Sequence, residues 1–248
     1  MRKFFLNIGF LGNEDLLIKD TELKLSFDLT KPQQFLIGAE PAEEMKIEIK
    51  DCYAVTEYVS SPNMRLYYDS IDFASIRYTI EDCEVYTKPI NQNETNIRFD
   101  NIRGGNIPSN VFVGLIKTDA LNGTFTESCT NFKCYGVNEM NITLNGNSVN
   151  GYPMRIQNEI PVQPLEKFID CTNRTCNIMS AKVMSPSEFQ FNWIWAHCFE
   201  SEELSRGWIG VNFKLDNAFT VPMTMVMWVI NPTVIAIDKF HQIEKINV

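Results

Sequence analysis

The sequence predicts an all-β protein built as an antiparallel two-sheet sandwich or jelly roll. Three observations carry that reading. Apolar and polar residues alternate with a period of two along most of the 248-residue chain, the pattern of strands with one buried face. From Met45 onward about eight such segments follow one another with no βαβ alternation, the count and spacing of a two-sheet fold. The long alternating run that starts at Phe132 stops at Asn145-Gly146, a dipeptide that accepts positive backbone dihedrals at low cost and so signals a strand reversal.

Two strands open the chain, over residues 4–10 and 16–29. In the second, Leu23, Leu25, Phe27 and Leu29 alternate with Glu22, Lys24, Ser26 and Asp28, and the strand ends before Pro32. After a loop holding Gly38 and Pro41, Ile47, Ile49, Tyr53 and Val55 alternate with Glu48, Lys50 and Cys52. Strands follow over residues 75–86, around Ile97 and Phe99, over 110–117, and over 132–145. In the last of these Phe132, Cys134, Gly136, Asn138, Met140, Ile142 and Leu144 share one face. Residues 147–188, rich in Pro, Asn and Ser, read as an extended loop, and loops of that length in a compact domain are usually functional or surface-forming.

The closing strands are expected over 190–197, 208–216, 221–230 and 234–238, with Pro232 breaking the last two apart. In 208–216 the face of Ile209, Val211, Phe213 and Leu215 opposes that of Trp208, Gly210, Asn212, Lys214 and Asp216. Residues 223–230 are apolar on both faces, so this strand must be covered on both sides. Either the 147–188 loop caps it or it contributes to a subunit interface. Helical turns are expected only at 62–70 and 185–189.

Composition narrows the function. A hydrophobic share of 44% and an aromatic share of 12% exclude wholesale disorder, and no apolar run approaches the roughly 18 residues of a membrane span. The opening apolar stretch is cut by Asn7 and by Asn13-Glu14-Asp15 before it reaches the length of a secretory leader. A formal charge of −9 without a basic cluster argues against a protein that tracks phosphates. It leaves room for a shell that encloses nucleic acid through another component. Seven cysteines leave one over in any complete intramolecular disulfide scheme, so a reducing compartment with free thiols is the simpler reading. Cys129/Cys134 and Cys171/Cys176 have a loose zinc-ligand spacing but lack the tight two-residue knuckle.

Catalysis has little to stand on. No G-x-S-x-G, H-E-x-x-H, P-loop or dinucleotide fingerprint occurs. The two histidines, His197 and His241, do not make the convergent ligand set of a cupin-type metalloenzyme. Carboxylates such as Glu81, Asp82 and Glu84 read as solvated strand positions. The expectation is a protein that is not an enzyme and has no cofactor and no metal.

A specific phrase lies between Asp100 and Pro153: Asp100-Asn101, Gly105, Ile107-Pro108, Val111 to Leu115 around Gly114, Asp119-Ala120-Leu121-Asn122-Gly123, Asn131-Phe132, and then Pro153. It resembles the second jelly roll of the double-jelly-roll major capsid proteins of Polinton (Maverick) elements and adintoviruses, relatives of virophage capsid proteins. The segments before residue 64 and after residue 207 are similar to that family's join between jelly rolls and its closing strands. The resemblance implies residual strands of a first jelly roll at 1–41, a second jelly roll at 42–248, and most of the first jelly roll missing. It implies structural roles for Asp100, Asn101, Gly105, Pro108, Gly114, Asp119, Ala120, Asn122, Gly123, Asn131, Phe132 and Pro153.

For function the resemblance implies a capsid subunit, or a truncated or endogenised copy of one, whose trimers form pseudo-hexagonal capsomers of an icosahedral shell. The partners implied are further copies of itself and other capsid proteins such as a penton, with no direct nucleic-acid contact. The location implied is the virion capsid, assembled in a reducing cytoplasm or nucleus. The alternative is a domesticated jelly-roll module that binds a glycan or protein through its loops, with Tyr135 and Trp208 as exposed-face aromatics.

Overall fold

The computed structural model describes residues 24, 26, 31–34, 37–38, 76–156, 162–175, 185–191, 193–199, 206–238, 240 and 242–247. The strands expected over 4–10 and 47–55 and the helical turn at 62–70 lie outside the described residues. So does the strand at 16–29, apart from Lys24 and Ser26. The chain divides into two compact units, one of Thr30–Met45 and Cys83–Asn231, the other of Met1–Leu29, Lys46–Asp82 and Pro232–Val248.

The strands are β1 (Ile76–Ile90), β2 (Asn96–Asn106), β3 (Asn110–Lys117), β4 (Val137–Leu144), β5 (Asn147–Ser148), β6 (Met154–Arg155), β7 (Ile194–Cys198), β8 (Arg206–Leu215), β9 (Met223–Ile237) and β10 (Ile243–Asn247). Among the described residues three short helices join them, α1 (Thr118–Asn122), α2 (Val162–Thr175) and α3 (Pro186–Phe191). One sheet has the order β1-β9-β3-β7, with β10 also on β9, and the other β2-β8-β4-β5, with β6 also on β4. The pairing runs from the outside of the chain inward: β1 with β9, β2 with β8, β3 with β7, and β4 with β5 and β6. A long antiparallel hairpin rolled up so that successive strands alternate between sheets gives this order, and it is a jelly roll.

The core lies between the inner faces. Val111, Val113 and Leu115 of β3 and Met223, Met225, Met227 and Val229 of β9 meet Met140 and Ile142 of β4 and Ile209, Val211, Phe213 and Leu215 of β8, all buried. These are the alternating sets the sequence marks in β8 and β9. A half-buried polar bridge links the sheets at their margin. The Arg103 guanidinium of β2 donates from Nε to Glu84 of β1 at 3.2 Å and from Nη2 to Asn231 Oδ1 of β9 at 2.9 Å.

Three elements depart from expectation. Residues 223–237 form one strand, not two broken at Pro232. Pairing with β3 ends at Ile230 and pairing with β10 begins at Thr233, so proline sits where the strand changes partner, a position at which a missing donor is better tolerated. Residues 132–136 are outside β4, which starts at Val137. Tyr135 and Gly136 have φ of 51° and 78°, and a register shift between Val137 and Glu139 brings Val137 and Met140 together in the core. The strict alternation from Phe132 therefore breaks.

The third departure is α2, which lies inside the expected 147–188 loop. Leu165, Phe168, Ile169 and Thr172 recur at helical spacing around Glu166, Lys167 and Asp170. Pro164 is tolerated because the first turn has no intrahelical use for its missing donor.

Helix α2 packs on β7 and carries the partner of Cys198: Cys171 and Cys198 form a disulfide with Cα atoms 5.5 Å apart. This corrects the expectation of free thiols for that pair. Cys176 lies outside the described residues, so the Cys171/Cys176 zinc spacing is not assembled among them. From β3 an aromatic chain runs around the β7 edge into the core, as Phe112, Phe168, Phe189, Trp193, Trp195 and Phe213, with successive centroids 5.3 to 6.1 Å apart.

In the second unit, β10 pairs antiparallel with β9 from Ile243↔Ile237 to Asn247↔Thr233. Lys245 Nζ lies 2.6 Å from Asp82 Oδ2. The Asp238 carboxylate accepts from the Phe240 and Gln242 amides and ties the hairpin turn.

Candidate functional site

The phrase from Asp100 to Phe132 falls on β2, β3, α1 and the turns that follow. Asp100 and Asn101 sit in a bulge of β2, where the register to β8 shifts between Phe99 and Arg103. Asn101 takes a φ of 49°, a left-handed conformation asparagine tolerates. Gly210 of β8 faces this bulge. A Cβ there would come within 2.8 Å of the Phe99 carbonyl oxygen and 2.7 Å of Thr143 Oγ1. Sequence reading missed Gly210, because a glycine inside a clean strand pattern marks a close approach without naming the neighbour. Among the described residues β2 is an edge strand, and bulges blunt edges against unwanted pairing. Gly105 has a φ of 123° with open space beside it, and Pro108 is buried between β2 and β3.

Gly114, Ala120 and Phe132 come together. Even-numbered residues of β3 point away from the core, and there the Phe132 ring lies over Gly114: a Cβ on Gly114 would stand 2.7 Å from Phe132 Cδ1. The ring packs edge-on against Trp228 at 5.2 Å. Ile116, Ala120 and Val226 complete a small buried cluster. The second apolar face of β9 is thus covered mainly by the 118–132 excursion, while α2 from the expected loop covers β7. Backbone bonds fix the plug, with the Trp193 amide donating to the Phe132 carbonyl at 3.0 Å and the Lys133 amide to that of Leu115 at 3.4 Å.

Asp119 is exposed on α1, and Gly123 ends that helix at a φ of 101°. A Cβ on Gly123 would approach Gln34 Cγ to 2.9 Å, while Gln34 Nε2 donates to the Leu121 carbonyl at 3.1 Å. Asn122 is exposed and Asn131 half-buried, its carbonyl accepting from Tyr135 Oη at 3.4 Å. Pro153 stands apart, just before β6. The excursion is closed by an ion pair between Lys117 and Glu127.

Beside the excursion, the 216–222 turn between β8 and β9 and the Tyr135-Gly136 turn enclose a cavity of about 320 Å³. Asn138 Nδ2 donates to Asp216 Oδ1 at 2.7 Å on its rim. Burial pushes the Tyr135 phenol above its ordinary value, with Lys117 pulling the other way. Burial likewise pushes the Cys134 thiol up to about 11, while its Sγ donates to the Val137 carbonyl at 3.2 Å. Cys129 Sγ donates to the Gln34 carbonyl, so Cys129 and Cys134 face different partners. Trp208 is 45% exposed on the outer face of the second sheet, away from this cavity. His197 is buried in β7 and packs edge-on to Phe199 at 4.7 Å; His241 lies outside the described residues. Among the described residues no three or more His, Cys, Asp or Glu side chains converge as metal ligands, and no helix is long and apolar enough to cross a membrane.

No family model matches the chain. An uncharacterized protein of Caenorhabditis elegans is 24% identical over 159 residues, covering 62% of this chain and 38% of its own length. Among solved structures, a chain of the Sputnik virophage aligns over 70% of this chain and 39% of its own, with a TM-score of 0.43 and 13% identity. The mavirus major capsid protein aligns over 70% and 41%, with a TM-score of 0.41 and 9% identity. A chain of the PBCV-1 virus capsid aligns over 68% and 51%, with a TM-score of 0.39 and 8% identity. This chain therefore spans well under two thirds of each of these proteins.

Proposed function

We propose that this chain is a structural shell subunit and not an enzyme: a jelly-roll module of a double-jelly-roll major capsid protein of the Polinton and adintovirus kind, or a truncated or endogenised copy. The observation that carries this reading is where the family-like phrase falls. Gly114, Ala120 and Phe132, spread over 19 positions of sequence, form one plug on the outer face of the β9-β3 sheet. A phrase that encodes a packing unit suits a mechanical role, because a shell wall needs rigid sheets with defined faces. The inward pairing of strands, β1 with β9 through β4 with β5, supports the same reading.

In this proposal residues 42–248 form the second jelly roll and residues 1–41 carry the last strands of a first. Trimers make pseudo-hexagonal capsomers that tile an icosahedral shell, a penton protein closes the vertices, and assembly takes place in a reducing cytoplasm or nucleus. The 147–188 segment supplies inter-subunit or outer-surface contacts. Negative-stain imaging of the purified protein tests this directly. Ring-shaped particles with threefold or pseudo-sixfold outlines are expected, and a field of single small domains at every concentration overturns the shell role.

A further inference from the structure

The cavity between the Tyr135 turn and the 216–222 turn is not used by the shell reading, and its construction is costly. Tyr135 holds a φ of 51° and is followed by Gly136 at 78°. Two successive left-handed residues are needed to make this turn, yet the first is a bulky aromatic. That conformation comes far more cheaply to asparagine or glycine, and an outlier held in place by its surroundings points toward function. Tyr135 lines a cavity of about 320 Å³, at the small end of ligand sites, about 300–1,000 Å³, and also packs in part against the core. Its hydroxyl reaches the Asn131 carbonyl at 3.4 Å, which fixes the ring.

Around the ring stand groups that bind hydroxyls. Asp216 gives Oδ1 to Asn138 at 2.7 Å, which orients the carboxylate and leaves Oδ2 as an acceptor. Asn217 and Thr220 line the same cavity and are exposed, and the buried Phe219 lines it too. An apolar ring platform beside a fixed carboxylate and an amide matches a molecule with one apolar face and several hydroxyls. Asp216 and the formal charge of −9 disfavour an anion.

We propose that this cavity is a binding site for a neutral pyranose, stacked on Tyr135 and hydrogen-bonded through a hydroxyl to Asp216 Oδ2. The site does not depend on the shell role, since it is complete within one chain.

Saturation-transfer NMR of the full chain with the methyl glycosides of glucose, galactose, mannose and N-acetylglucosamine, and with sialic acid as an anionic control, tests it. At least one neutral glycoside is expected to bind and sialic acid not to. Tyr135→Asn, which suits the left-handed backbone but removes the ring, should abolish the signal in a protein that still melts cooperatively, if somewhat lower because the ring also packs against the core, whereas Tyr135→Phe should keep the signal. Asp216→Ala should weaken binding about tenfold, the loss of one charged hydrogen bond. The proposal is overturned if no glycoside of the panel binds, if binding survives both Tyr135→Asn and Asp216→Ala, or if Tyr135→Phe, which keeps the ring, loses the signal as Tyr135→Asn does.

Discussion

At Gly114 the missing side chain is a packing requirement, because the Phe132 ring occupies the space a Cβ would take. That ring is itself held against Trp228, so it has little room to yield. Gly114→Ala is expected to destabilise the fold by about 1–3 kcal/mol, the usual cost of overpacking, read as a lower melting temperature. A melt indistinguishable from the parent would mean the plug is loose. Cys134 gives a prediction of another kind. Its thiol sits at about 11 in the fold because burial penalises the thiolate, against about 8.5 in an unfolded chain. The folded state thus keeps a proton that the unfolded state gives up. This contribution to stability is complete below about pH 8.5 and is lost as pH rises toward about 11. Denaturant titrations along that range should show stability falling, and Cys134→Ala should flatten part of the fall. A rise in stability over this range would contradict the assignment. Single residues were partly legible in the sequence: the phrase singles out Gly114 and Phe132, but nothing in one dimension says that one lies on the other.

Strands with a continuous core-facing set were the most legible elements. β3 and β8 lie close to their expected bounds, because Val111, Val113 and Leu115 in one and Ile209, Val211, Phe213 and Leu215 in the other recur at every second position and are all buried. Where a neighbour decides, sequence reading failed. Pro232 looked like a break, yet the strand continues through it, with the partner changing from β3 to β10 at that point. Helix α2 was hidden in a stretch whose Pro and Asn content reads as loop, and its helical spacing becomes meaningful only when β7 is there to receive it. Cys171 and Cys198 then meet across 27 positions. Replacing both by serine is expected to cost about 3 kcal/mol for a loop of that size and to speed amide exchange in α2 more than in β8. Equal exchange in both elements would mean the helix is held without the bond. If assembly occurs in a reducing compartment, alkylation of freshly isolated protein under denaturing but non-reducing conditions, needed because Cys171 is fully buried, should label both cysteines, with the bond closing on later oxidation. The aromatic chain offers a further check. Trp195 is fully buried between Trp193 and Phe213, so Trp195→Ala should cost about 3–5 kcal/mol in a denaturant titration, and a cost under about 1 kcal/mol would contradict its place in the core.

At the scale of the whole molecule, strand count and the lack of crossover helices announced two antiparallel sheets, whereas the order of strands within them is set by long-range pairing that periodicity cannot encode. The same limit applies to the candidate site: Tyr135 stood out as an aromatic on a polar face, but its cavity is completed by residues 216–222 on another turn. Charge bears on assembly as well. With a formal charge of −9, copies repel one another at low ionic strength, so a shell subunit of this composition should associate more strongly as salt screens the charge. The most direct test of the shell role is the mass of the purified chain by light scattering across a range of concentration and salt. Trimers or larger closed species that grow with both are the expected result, and a folded monomer under every condition would contradict it.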